Sequence, residues 1–508
     1  MARNEVKYGA MLSYVLIFVN AVYGMIVSPF ILSTVGSSEF GVYETIGAMA
    51  SAIAVLEFGI GSTMQRYIAK MVALKQDREI ENFSAMGMIQ TLILSALMGV
   101  VGFAVFFTIE PVYGNSFTAS ELARAKEVYG LFIIQIVLHL FESFFFGLLA
   151  GYNRFTFSNS LKLGTLILRI VLCYVLLPLF PNALCLVGAT LIMEVVLIGS
   201  EVFYLKKVLH HRSRLYSWDR GLFRESFVYT LLMFAQTIIV QFNGHVDSWV
   251  IGAYIGTMAV TVYSFAIKIY NMYQQCAMSV SGVLLPTVTT QLIQDATPRR
   301  MEDLVIKYGR VQWSFLSALL AGLICFGREF FDLWLSKNIG QAAVDCWLLC
   351  LILVIPMTLP LVTNVCLTIL RAKNLMRFRT LSLGYSVIVN IILTLVGTYF
   401  WGYWAAALGT TFSTVIGSVI SMNIYYHRKL GMNMTRVYKG IMKRITLCPL
   451  TAAIPGVILN LFWKGTWVAF VGKIAVFMVV FAFMLWTYGF SKDERNLLLR
   501  RRKTPSVS

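Results

Sequence analysis

Four polar side chains, Ser264, Lys268, Asn271 and Gln275, recur at i, i+4, i+7 and i+11 within the apolar stretch from Gly256 to Gln291. On a helix that spacing places them in one stripe. At 1.5 Å per residue Lys268 lies roughly 18 Å from the Gly256 end, close to the middle of a bilayer. Ionisable groups at that depth are costly and usually face a water-filled cavity or a partner. A second set lies upstream: Lys162 and Arg169 are seven residues apart on one apolar segment, and Glu194 and Glu201 are seven apart on the next. Each pair shares a helix face, and Arg169 and Glu194 differ by roughly 3 Å in depth. Two readings stand. Either Arg169 and Glu194 form a buried ion pair that locks two helices, or Arg169, together with Lys268, presents positive charge to an anionic substrate. Arg grips phosphate oxygens bidentately, whereas Lys acts as a point charge.

The remaining carboxylates suggest ion handling. Glu57 and Glu142 fall in the inner halves of apolar segments, and Asp247 falls in the outer part of another, near His245. With Glu194 they are candidates to carry a coupling proton or bind sodium. The plainer reading is that they neutralise basic residues of the same cavity, and simple exposure at the outer mouth is a third for Asp247. His139 reads as a hydrogen-bonded core histidine. Arg66 and Lys70, one turn apart, are either membrane anchors or the cytoplasmic entrance for a phosphorylated headgroup. Eight cysteines sit mostly in apolar segments; Cys346 and Cys350 are one turn apart, but no His or Cys completes a metal set. We therefore expect no metal, no cofactor and no catalytic residues, since no Ser/His/Asp constellation is visible.

The elements that must hold these residues are membrane helices. Of 508 residues 58% are hydrophobic and 13% charged, where a soluble domain carries about 25% charged. The mean hydropathy is +0.74. The sequence predicts an all-α polytopic membrane protein with about fourteen transmembrane helices, among them spans at 10–33, 42–65, 226–248, 256–285 and 343–369. The first reads as an uncleaved helix rather than a signal peptide. Most of the 42 Lys and Arg residues fall on alternate connections, which puts both termini in the cytoplasm. The net charge of +18 is spread among these loops rather than gathered in a patch, so nucleic acid is not an expected partner. Trp249, Trp401 and Trp404 suit an interfacial belt. Pro286, Pro356 and Pro360 read as bends, whether static kinks or gates.

Matches at a common offset suggest a repeat: Gly36, Val42 and Tyr43 with Gly256, Val262 and Tyr263, and Leu161, Leu163 and Gly164 with Leu381, Leu383 and Gly384. A duplicated lobe explains them, with both copies in the same orientation. The expected organisation is two pseudo-symmetric six-helix lobes, 1–210 and 211–430, two additional transmembrane helices over 431–490, and a basic cytoplasmic tail over 491–508.

The segment Gly36 to Tyr43, followed by Glu57-Phe58-Gly59-Ile60-Gly61-Ser62-Thr63-Met64-Gln65-Arg66-Tyr67-Ile68-Ala69-Lys70, resembles the N-terminal signature of the polysaccharide-unit flippases. That family (O-antigen and exopolysaccharide flippases) lies within the multidrug/oligosaccharidyl-lipid/polysaccharide exporter superfamily. The resemblance implies alternating-access export of an undecaprenyl-pyrophosphate-linked oligosaccharide from the inner to the outer leaflet of a bacterial cytoplasmic (inner) membrane. It also implies H+ or Na+ coupling or drive by membrane potential, and glycan polymerase or assembly proteins as partners. Arg169 and Lys268 are its candidate cavity cations. Lys162, Asn271, Gln275 and Arg66 complete the substrate-binding expectation, and Glu57, Glu142, Glu194 and Asp247 the ion-coupling one. Two alternatives stay open: a cation-coupled multidrug exporter of the same superfamily, and a membrane-embedded glycan polymerase or ligase.

Overall fold

The computed structural model describes residues 2–53, 59–294, 297–373, 375–463 and 465–490. Glu57, Asn374 and the basic tail lie outside the described residues, as does the side chain of Pro286. Everything described is helix or short connection, with no strand among the described residues. Ten helices there are long and apolar enough to cross a membrane, or eleven if the bent pair Met434–Met442 and Leu447–Asn460 is one span. The chain is a multi-pass, all-helical membrane protein.

The first unit comprises residues up to Ser264 together with Asn390–Ala406. It opens with α1 (Ala2–Ile53), which is two helices meeting at Gly36, where φ is 85° and ψ 165°. Gly256, its counterpart in the repeat register, also has positive φ, at 111°. Both stand at a turn between successive helices, where a backbone of this hand favours glycine. Next come α2 (Ile60–Ala73), α3 (Asp77–Phe106), the short α4 (Ile109–Tyr113), α5 (Ala119–Gly151), α6 (Phe155–Leu176), α7 (Ala183–Lys207) and α8 (Arg220–Tyr254). Of the expected span over 42–65, residues 54–58 lie outside the described residues, and α2 begins at Ile60, after Gly59. Gly59 at the start of α2 passes so close to Thr230 that a Cβ would lie 2.7 Å from its carbonyl oxygen. The Thr63 and Thr230 hydroxyls meet at 2.9 Å.

Helix α5 is central, packing against α1, α2, α3 and α7. Its start is fixed by a capping box, in which the Thr118 side chain accepts from Glu121 N–H and Glu121 accepts from Thr118 N–H. The Glu121 carboxylate also accepts from the hydroxyls of Ser38, at 2.6 Å, and Thr257, at 2.8 Å. Helix α7 starts at Asn182, whose side chain accepts from Cys185 N–H. Glu39 Oε2 accepts from Ala183 N–H while its other oxygen pairs with Arg124. These caps fix the heights of α5 and α7, and so the heights of every side chain below them.

The second unit comprises Phe265–Val389 and the residues from Ala407 onward. It holds most of α9 (Thr257–Gln294), then α10 (Pro298–Ile339), α11 (Ala342–Val362), α12 (Val365–Ala372) and the first half of α13 (Met376–Trp401). The expected span over 343–369 stops at Val362, two residues past Pro360, and resumes as α12. Beyond α14 (Tyr403–Thr414), a π-helical stretch leads into α15 (Met422–Leu430). Helices α16 (Met434–Met442), α17 (Leu447–Phe462) and α18 (Trp467–Met484) pack on α10.

Candidate functional site

The heptad pairs on α6 and α7 do converge, but with different partners from those that depth arithmetic suggests. Glu194 Oε1 lies 2.7 Å from His139 Nδ1 of α5. Glu142, one turn below His139, places Oε2 3.6 Å from the same nitrogen and Oε1 2.8 Å from Lys162 Nζ. Lys162 also stands 3.9 Å from the centroid of the Phe146 ring. Arg169 makes no ion pair with Glu194: its guanidinium lies over the Tyr23 ring of α1 at 4.8 Å, and its Nε is buried without a hydrogen-bond partner.

These groups line one cavity of about 330 Å³, to which α1 contributes Leu16 and Asn20. One wall is acidic, with Glu142 and Glu194; the other carries Lys162 and Arg169. His139 is the most open of them, its side chain 46% exposed against 3% for Glu142. Below lies Glu201, wholly buried, with neither carboxyl oxygen hydrogen-bonded. Among the candidates, then, Lys162, Arg169, Glu142 and Glu194 come together, and His139, read from sequence as a core residue, joins them. Only contact between helices reveals its place, since positions 139 and 194 share no spacing.

A second polar cluster forms around Asp247 of α8. Its Oδ2 accepts from the Tyr263 hydroxyl of α9 at 2.5 Å and its Oδ1 from Thr394 of α13 at 3.0 Å, with Asn390 Nδ2 3.5 Å away. Asp247 is 3% exposed and Asn390 and Thr394 are wholly buried, so exposure at an outer mouth is ruled out for Asp247. The i, i+4 spacing of Asn390, Thr394 and Thr398 on one apolar helix was a usable sequence signal for this cluster.

The other candidates lie elsewhere. Arg66 is exposed on α2, its guanidinium 5.9 Å from the Tyr67 ring. Lys268 belongs to the second unit, half-buried, with Nζ 5.0 Å from the Phe265 ring centroid. Of its stripe, Ser264 is buried and bonded to the Thr261 carbonyl, while Asn271 and Gln275 are exposed. At the cytoplasm-facing end predicted from charge, the 209–219 connection is strapped to α3. Arg214 N–H donates to the Glu81 carbonyl, and the N–H groups of Tyr216 and Ser217 both donate to the Asn82 side chain. His211 is held between the Tyr152 hydroxyl, at 2.9 Å, and the Ser84 hydroxyl, at 3.0 Å.

The family description "Polysaccharide biosynthesis protein" matches residues 6–292, more than half of the chain. The chain belongs to that family. Its fold is that of membrane exporters already solved. It is similar to the lipid II flippase MurJ in an inward closed conformation, with a TM-score of 0.74, 14% identity, and 96% of this chain and 99% of the other covered. It is also similar to an inward-facing multidrug resistance MATE family transporter of the MOP superfamily, with a TM-score of 0.67, 13% identity and 85% and 98% coverage. A third neighbour is a MOP superfamily transporter from Pyrococcus furiosus, described as having a binding pocket of reverse polarity, with a TM-score of 0.55, 13% identity and 85% and 97% coverage. No curated protein sequence matches the chain.

Proposed function

We propose that this member of the polysaccharide biosynthesis family flips an undecaprenyl-pyrophosphate-linked oligosaccharide from the inner to the outer leaflet of a bacterial cytoplasmic membrane. The observation that carries the reading is Arg169: a cation on the wall of a membrane-embedded cavity that no carboxylate among the described residues neutralises. With Lys162 beside it, that wall suits a diphosphate, because charge-assisted hydrogen bonds to phosphate are about twice as strong as neutral ones. The acidic wall and the Asp247 cluster suit a monovalent coupling ion, H+ or Na+. Membrane potential can contribute as well, at about 2.3 kcal/mol per charge per 100 mV. The polyprenyl tail needs no protein cavity, since lipid solvates it. The reading includes cytoplasmic termini, glycan polymerase or assembly proteins as partners, and transport in place of catalysis.

The test is a deletion strain in which lipid-linked glycans are measured by mass spectrometry and their leaflet is probed with an external glycosidase. Complete repeat units accumulating out of reach of the glycosidase are the expected result. Unchanged intermediates with normal surface glycan would sink the proposal. One observation favours a second reading: the acidic wall also suits organic cations, as in a cation-coupled drug exporter, and lost drug resistance with intact surface glycan in the same strain would select it.

A further inference from the structure

The acidic wall, which the transport reading offers to a monovalent ion, also has the donor set of a divalent one. His139, Glu142 and Glu194 each offer a ligand atom, and these atoms all lie within 4.8 Å of one another. Metal–ligand bonds of about 2.0–2.2 Å place neighbouring ligand atoms about 3–3.6 Å apart in a tetrahedral or octahedral shell. The 2.7 Å and 3.6 Å separations from His139 Nδ1 straddle that range. Small side-chain rotations therefore bring all three onto one ion. Glu142 would ligate through Oε2, its Oε1 remaining 2.8 Å from Lys162.

Glu201 is a second, independent sign. It is wholly buried, neither oxygen has a partner, and its electrostatic neighbours are Glu142, Lys162, Glu194 and His139. Glu142 and Glu194 thus lie near this carboxyl, with Lys162 paired to Glu142. A buried carboxyl without a hydrogen-bond partner is costly, and a ligand bound beside it is one way to meet that cost.

We propose that His139 and Glu142 of α5 and Glu194 of α7 form a binding site for a divalent transition-metal ion that staples the two helices together. One imidazole and two carboxylates without thiolate suit Zn2+, Mn2+ or Fe2+ rather than a soft ion. The site lies in the same cavity as Lys162 and Arg169, but metal binding there does not depend on what is transported.

Purified protein titrated with ZnCl2 by calorimetry tests it. We expect one ion per chain, with affinity about tenfold or more weaker in His139→Ala and in Glu194→Gln. Lys162→Met, which removes a positive charge beside the ion, is expected to tighten binding, a gain that misfolding cannot produce. In the unmutated protein, ZnCl2 is expected to protect His139 from diethyl pyrocarbonate, read by peptide mass spectrometry. Absence of one-to-one binding, unchanged affinity in His139→Ala, or an unprotected His139 would each overturn the site. Normal surface glycan in the deletion strain would overturn only the flippase reading, so the two fail separately.

Discussion

Arg169 and Lys473 show two ways of keeping a cation inside an apolar helix bundle. Arg169 rests on an aromatic face and turns toward a cavity, whereas Lys473 of α18 is wholly buried and fully engaged. Lys473 Nζ donates to Glu329 of α10, to Asn460 Oδ1 at 2.7 Å and to the Trp463 carbonyl at 2.9 Å. For Arg169→Ala we expect transport to fall about tenfold to a hundredfold, the equivalent of about 1.5–3 kcal/mol for a hydrogen bond to a charged group. The exposed Lys429→Ala serves as control, and flipping of lipid-linked glycan is compared at matched expression. For Lys473→Met the expected loss is one of stability, about 3–5 kcal/mol, because Glu329 is left as an uncompensated charge. Thermal unfolding in detergent measures it, and Lys473→Met combined with Glu329→Gln is expected to recover much of the loss.

At the scale of elements, the 209–219 strap joins the end of α7 to the start of α3 through a histidine whose burial favours its neutral form. Burial pushes His211 below its ordinary 6.5, with Glu81 partly opposing. The unfolded chain therefore takes up a proton more readily than the folded one. The strap's contribution to stability is complete above about pH 6.5 and is lost as the pH falls from there through the lowered folded pKa. The protection factors of the Tyr216 and Ser217 amides, which remove the base-catalysed pH dependence of intrinsic exchange, are expected to be lower at pH 5.5 than at pH 7.5 in the native protein. In His211→Gln that difference should largely vanish. A strap equally protected at both pH values would mean that His211 does not hold it.

For the whole molecule, the distribution of basic residues predicts an orientation that labelling can test. The outer connections are short and poor in Lys and Arg, and the basic ones include Lys75 and the strap. Asn115 and Lys75 are both exposed. With the native cysteines as background, Asn115→Cys is expected to react with a membrane-impermeant maleimide in intact cells, and Lys75→Cys only after permeabilisation. The reverse pattern would invert the molecule and with it the direction of export.

Composition and periodicity alone determined that this chain is a many-helix membrane protein, since lipid leaves backbone polar groups no partner but their own helix. They also marked Lys162, Arg169, Glu142 and Glu194 as cavity candidates, because charge is too costly in hydrocarbon to be idle. The resemblance in the first seventy residues led to the family. Only the tertiary structure decided which of these groups meet. His139 and Lys473 gain their meaning from carboxylates 55 and 144 residues away, and such pairings leave no period in the sequence. The start of α2 was equally hidden: Gly59 stands beside the Thr230 backbone, a contact fixed by how α2 and α8 pack. Helix spacing is local and can be read along the chain, while the partner of a buried charge is set by which helices pack together.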